Sequence, residues 1–314
     1  MRFYPSDEFL TRYPHAPTYV GNSEMSTVPA EAITYFTLTK QTIADSSLLV
    51  DNSCRITGDQ TRKNKFHRNL YVNTMRDSDV VEFENLNFKQ VGGKQQQIDC
   101  IRGCILFRNC TFGCTQRAVR VATINNASAH VVFESCVFHD HKECAVLVES
   151  GRVIVVSCLM SNCGVAFVAK EHVFLSALYT SFEQCVGGVV FPCGGEVHLF
   201  KCDFEKIVDF AVLASNGSEI DVKNCSIDQC LGAGIVVEGG HRTTAVIMGC
   251  RIQNCDGSGV RVGNGNITVS LHGTQVRTCE FGLYVAADST GNVDVMNCSL
   301  IPRLLIHSTH HLST

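Results

Sequence analysis

Tryptophan is absent from this 314-residue chain, and few other aromatics fall where they would point outward. That leaves no obvious groove for stacking sugars. The formal net charge is only −4, so no long-range pull towards nucleic acid or an anionic membrane is expected. No run of 18 apolar residues occurs, which argues against a membrane-spanning helix. The start, Met1-Arg-Phe-Tyr-Pro-Ser6, has no apolar leader, so secretion is not expected. Phosphate-binding glycine loops, a nucleophile elbow and an HExxH zinc motif are all missing.

What the chain does have is one frame, repeated. Val131-Val-Phe-Glu-Ser-Cys136-Val-Phe138 and Glu219-Ile-Asp-Val-Lys-Asn-Cys225-Ser-Ile227 carry apolar residues five and three before a cysteine and two after it. The frame recurs with centres at Leu86, Cys110, Cys136, Cys158, Thr180, Cys202, Cys225, Cys250, Thr274 and Cys298, at spacings of 22 to 26 residues. A near-constant period of this size marks a stacked repeat. Alternation before the centre has period two, hence strand. The offset of three from the last strand position to the centre breaks the alternation, which calls for a bend. Asn85, Asn109, Asn224 and Asn297 stand just before the centre, and Asn tolerates the left-handed conformation.

A third short strand follows in most repeats, as in Ala145–Val148, Gly164–Val168, Gly234–Val237, Gly259–Val262 and Gly282–Val285. The glycines that open most of these suggest tight turns. Three strands and three bends per repeat describe one rung of a right-handed parallel β-helix. The expected fold is therefore all-β, a solenoid of ten to eleven rungs. Rungs stacked at about 4.8 Å would make a rod about 45–50 Å long. Residues 46–301 form the solenoid, 1–45 an N-terminal arm and cap, and 302–314 a C-terminal tail or cap. Asp59–Phe66 and Gly92–Gln97 read as polar loops.

The chain has 18 cysteines. Because they recur at one point of the frame, they should lie above one another inside the coil as free thiols, in a reducing compartment. The sequons at Asn109, Asn224 and Asn297 fall at bends inside the frame, which fits a chain that is not glycosylated.

No catalytic, cofactor-binding or metal-binding residue is assigned. The pairs Cys158/Cys163, Cys225/Cys230 and Cys250/Cys255 have a wider spacing than zinc pairs use, and Cys185 and Cys279 share the register of their second members. His139-Asp-His-Lys-Glu-Cys144 is the best isolated metal candidate. A solvated loop explains it more simply, since no distant partner ligand can be identified. Glu183, Glu205 and Asp228 each stand three past a centre and would form a vertical acidic row. Paired carboxylates at such spacing could cleave glycosides. The matching positions of adjacent rungs, Ser161 and Gln253, supply no basic group, and an exposed bend accounts for three acids.

At Asn109-Cys-Thr-Phe-Gly-Cys114, Ser135-Cys-Val-Phe138 and Lys201-Cys-Asp-Phe204 the chain resembles the adenovirus β-helix family. That family includes the large T-antigen-like early protein and the atadenovirus LH capsid protein. Val50–Asp59 and Val80–Phe88 are similar to its opening rungs, and the resemblance covers about Ile43 to Leu300. The early protein carries a Cys/His-rich C-terminal extension, and the chain stops after one short segment, so the resemblance favours the capsid member. It implies a non-enzymatic homotrimer with no cofactor. The trimer would sit as a knob on the virion outer capsid, bind hexon, and be assembled in the host nucleus. The alternative is an intracellular adaptor, in cytoplasm or nucleus, similar to the Shc-binding and nessun dorma proteins. A polysaccharide lyase or hydrolase stands behind both.

Overall fold

A computed structural model describes residues 49–51, 53–58, 69–88, 98–122, 129–170, 173–191, 194–239 and 242–301, with strand backbone alone at 18–20, 34–37, 48, 64–66, 89, 305–306 and 312–313. Every strand pairing among them is parallel, and each strand lies on its copy one turn away. Ladder 1 carries the strand before the centre, ladder 2 the short strand after it, and ladder 3 the third strand of each turn.

The columns of the frame are the columns of the structure. Val81, Ile105, Val131, Val153 and Leu175 pair in unbroken register on ladder 1. On ladder 2, Phe88, Phe112, Phe138, Met160 and Phe182 do the same. Both columns point inward and are buried. The 11-residue strand Ile98–Arg108 turns a corner at Gly103, whose φ is +105°, and joins ladders 1 and 3 into one sheet of 25 strands. Ladder 2 is a separate sheet of 11 strands.

The extra residue before each centre is a left-handed bend in all ten turns, with φ from +48° at Asn109 to +62° at Gly249. Asparagine, glycine, Ser135, Ser157, Tyr179 and Lys201 all take this position. A second left-handed position recurs four past the centre, for example Cys114, Asp140, Gln184 and Lys206, with φ between +54° and +60°. The next residue then turns inward, which makes a second column containing Cys163, Cys185, Cys230, Cys255 and Cys279, all buried.

The glycines near the third strand serve a purpose other than the tight turn expected of them. Gly164 and Gly234 are not left-handed; a Cβ at Gly164 would meet the Glu143 carbonyl oxygen at 2.3 Å, and one at Gly234 the Gly259 oxygen at 2.6 Å. What they provide is room for the backbone of a neighbouring turn.

The segment Asp59–Phe66 also differs from a pure loop. Its last residues, Asn64–Phe66, are strand backbone in register with Leu86–Phe88, so Phe66 continues the column headed by Phe88. An insertion of irregular length hides that rung from a fixed-period reading. Thr34–Thr37 pairs with Cys54–Thr57 and with Thr18–Val20 in ladder 1. At the other end Leu305–Ile306 and Leu312–Ser313 pair with ladders 3 and 1. The remainder of the segments 1–45 and 302–314, and the loop Gly92–Gln97, lie outside the described residues.

Candidate functional site

Residues of ladder 1 that alternate with the core point outward, and in three middle turns the last of them is apolar. Val156, Leu178 and Phe200 pair in register, one per turn, beside Ile154 and Phe174. Tyr179, 52% exposed at the adjoining bend, packs edge-on against Phe200 with ring centroids 5.8 Å apart. Cations rim the patch. Arg152 lies over the Phe174 ring at 4.4 Å, and Lys201 stands 5.5 Å from Tyr179 and 5.4 Å from Phe200. Phe174, Tyr179 and Phe200 thus share this face, while Phe210, Phe281 and Tyr284 stand on ladder 3. Sequence reasoning missed this because it followed the inward columns and did not sum the alternate ones. Val246 and Met248 are exposed two turns on, beyond the Asp221–Lys223 ion pair of the intervening turn.

Ladder 2 carries the acidic row. Ser161, Glu183, Glu205, Asp228 and Gln253 stack in register, as their spacing predicts. Charge in the row is less unopposed than the sequence suggested. Lys206, next along the bend, places its Nζ 2.5 Å from Glu205 Oε1, and this contact raises the lysine pKa. Gln253 Nε2 and Asn254 Nδ2 donate to Asp228 at 3.0 and 2.8 Å. The lysine was visible as the residue following Glu205. What the sequence hid was that the bend turns it back over the row.

The loop His139–Cys144 divides between surface and core. His141 turns inward, 1% exposed, with Nδ1 2.9 Å from Thr115 Oγ1. Cys144 is buried at the start of its ladder-3 strand. His139 and Asp140 remain outside, with Nδ1 2.8 Å from Oδ2. Cys114, one turn below, lies beside them, and the three residues each bring one potential ligand atom to within 4.8 Å of the others. The interval from Cys114 to Asp140 is the repeat spacing itself, since both stand four past a centre.

Every described cysteine is free; Cys193 lies outside the described residues. The centre column does more than fill space. Cys136 Sγ donates to the Phe107 carbonyl at 3.3 Å, one turn below, and the Cys136 N–H donates to Cys158 Sγ at 3.3 Å, one turn above. Cys158 in turn donates to the Phe133 carbonyl at 3.5 Å, while its own N–H reaches Thr180 Oγ1 at 3.4 Å. The column thus accepts from backbone N–H groups at the bend, a role that the hydroxyls of Thr180 and Thr274 share with the thiols and that Leu86 does not. Burial pushes the Cys144 thiol up to about 11 and, with Asp51 beside it, Cys54 up to about 12. Such thiols are poor nucleophiles. The paired cysteines five apart belong to two different inward columns and do not form zinc pairs.

A family model described as the right handed beta helix region matches residues 176–301. The coil is a right-handed parallel β-helix. No curated protein matches the chain. Among solved structures, the β-helix is similar to the catalytic domain of a GH87 alpha-1,3-glucanase in complex with tetrasaccharides, at 8% identity and a TM-score of 0.47, over 88% of this chain and 69% of that one. It is similar to the tailspike protein of E. coli bacteriophage HK620 in complex with a pentasaccharide, at 11% identity and a TM-score of 0.47, over 93% and 60%. A third similar structure is tailspike protein 3 of bacteriophage CBA120, at 9% identity and a TM-score of 0.45, over 88% and 56%. The β-helix therefore spans only about 60% of the HK620 tailspike chain. At these identities the likeness is one of fold.

Proposed function

We propose that the protein is a non-enzymatic structural component, a β-helix that self-associates side by side as a homotrimer and mounts on a viral outer capsid. The support is the outward apolar face of ladder 1, centred on Leu178 and Phe200. Contiguous apolar patches on a surface mark association sites. A solenoid presents such a face already ordered, so little conformational entropy is lost on binding. Its straight register lets the face meet its copy on a neighbouring rod along several turns. The capsid location and hexon as partner come from the resemblance at Asn109–Cys114, Ser135–Phe138 and Lys201–Phe204.

Size-exclusion chromatography with light scattering tests this reading. A trimer at micromolar concentration, dissociated by Leu178→Asp together with Phe200→Asp, is the expected result. A strict monomer overturns it and favours the adaptor alternative. The acidic row is read as a solvated face, because Lys206, Gln253 and Asn254 already engage Glu205 and Asp228. A reducing-sugar assay on pectins and galactans checks that reading. Release of sugar that disappears in Glu205→Ala or Asp228→Ala would make the protein an enzyme.

A further inference from the structure

We propose that Cys114, His139 and Asp140 form a binding site for a thiophilic divalent cation of the zinc type, clamping two successive turns of the coil. The thiol, the imidazole and the carboxylate each bring one ligand atom to within 4.8 Å of the other two. Cys114 Sγ stands 3.9 Å from Asp140 Oδ2, and His139 Nδ1 stands 2.8 Å from the same oxygen. Around a zinc ion with bonds of about 2.0–2.3 Å, ligand atoms stand roughly 3.3–3.8 Å apart, so small side-chain rotations suffice.

The backbone fixes the arrangement. Cys114 and Asp140 occupy the same left-handed bend position in consecutive turns, with φ of +60° and +59°. The Cys114 N–H donates to the His139 carbonyl at 3.1 Å, which locks one turn on the other. Gly113 pairs in register with His139. A Cβ at Gly113 would lie 2.4 Å from His139 Cε1 and 2.5 Å from Nε2, so only glycine lets the imidazole lie down over the lower turn beside the thiol. Above, Asn162 Nδ2 donates to Asp140 Oδ1 at 2.5 Å, orienting the carboxylate and leaving Oδ2 towards the cluster.

Mixed sulphur, nitrogen and oxygen donors select zinc or its neighbours over calcium and magnesium, which take oxygen alone. Three protein ligands leave the fourth position of a tetrahedron to water. On binding, the Cys114 S–H bond breaks, its electron pair forms the sulphur–metal bond and its proton passes to solvent. The contact between His139 and Asp140 gives way to shared ligation. No electron is transferred.

The test is titration of the reduced, tag-free full chain with cobalt(II), followed by zinc competition. One cobalt per chain is expected, with a thiolate-to-cobalt charge-transfer band in the near ultraviolet and the visible bands of a tetrahedral ion, both erased by zinc. Cys114→Ser should abolish the charge-transfer band. His139→Ala, Asp140→Asn and Gly113→Ala should each weaken binding by about tenfold or more. The Gly113 variant keeps all three ligands, so its effect reports the placing of the ring. Cys104→Ser, Cys298→Ser and the triple change His307→Asn, His310→Asn, His311→Asn should bind as the parent does. Unchanged far-ultraviolet circular dichroism confirms folding in each case. A charge-transfer band that survives Cys114→Ser, binding lost only in the triple histidine variant, or no binding at all overturns the proposal.

Discussion

Phe112 and Phe138 lie face to face inside the coil, one turn apart, with ring centroids 4.5 Å apart and planes inclined by 9°. Phe88 stacks on Phe112 from below at 4.9 Å, and Phe107 and Phe133 meet Phe112 edge-on from the other wall. Two phenylalanine columns therefore interlock, one from ladder 1 and one from ladder 2, which combines burial with aromatic geometry. Phe112→Ala should cost about 3–5 kcal/mol, because stacked neighbours held by two ladders cannot collapse into the void. Phe112→Leu should cost distinctly less. Urea unfolding of the two variants checks the order; equal midpoints would show that the void adds nothing to the loss of the ring itself.

The centre column makes a different prediction, about polarity more than volume. Cys158→Ala removes the acceptor of the Cys136 N–H, which remains buried, while the Phe133 carbonyl keeps its place in ladder 1. The unsatisfied N–H adds about 1–3 kcal/mol to the small cavity cost. Cys158→Thr keeps donor and acceptor in the place that Thr180 and Thr274 already occupy, and should be close to neutral. A thermal melt in which the alanine variant matches the threonine variant would refute the hydrogen-bonding role of the column.

Much of this architecture was legible because side-chain period and pairing register are one property in a parallel stack. Val81, Ile105 and Val131 fall into one column because each must meet the residue a turn below. The left-handed bend was visible through its asparagines, but Tyr179 and Lys201 at the same place carry no such signal: the two ladders on either side impose the conformation against their preference. The outward patch and the cluster at Cys114 were hidden for another reason. Both depend on the bends, which set side chains from adjacent turns beside one another. Cys114 and His139 read as unrelated until the turn length separating them is known.

Glu82 gives a pH test of the first described turns. Its side chain is 1% exposed on the outer side of ladder 1, between Arg55 at 3.5 Å and Arg108 at 3.8 Å. Neither carboxylate oxygen makes a hydrogen bond. Burial outweighs the two arginines and raises its pKa. An acid with a raised folded pKa contributes stability that is complete below its ordinary value and is lost as pH rises through the folded one. Arg55 also pairs with Glu84, and Arg108 with Glu134, so Glu82→Gln leaves both cations partnered. The variant should match the parent at pH 4 and exceed it by on the order of 1 kcal/mol at pH 8. Melting temperatures at the two pH values decide the matter, and a loss of stability at pH 8 would mean that the ion pairs outweigh desolvation.

Cys54 probes the same linkage from the alkaline side. It is fully buried in the first inward column of ladder 1, below Val81, and its thiol is pushed from 9.0 to about 12 by burial and by Asp51. The unfolded chain releases this proton above pH ~9 while the folded chain holds it. Stability from keeping the thiol neutral is therefore complete below pH ~9 and declines as pH rises towards 12, by up to about 1.4 kcal/mol per pH unit. Valine fits the column that Val81 continues and has no proton to lose. Cys54→Val should unfold at a similar urea concentration at pH 7 and show a shallower decline between pH 9 and 11. Parallel declines in the two proteins would mean that Cys54 already meets solvent in the native state.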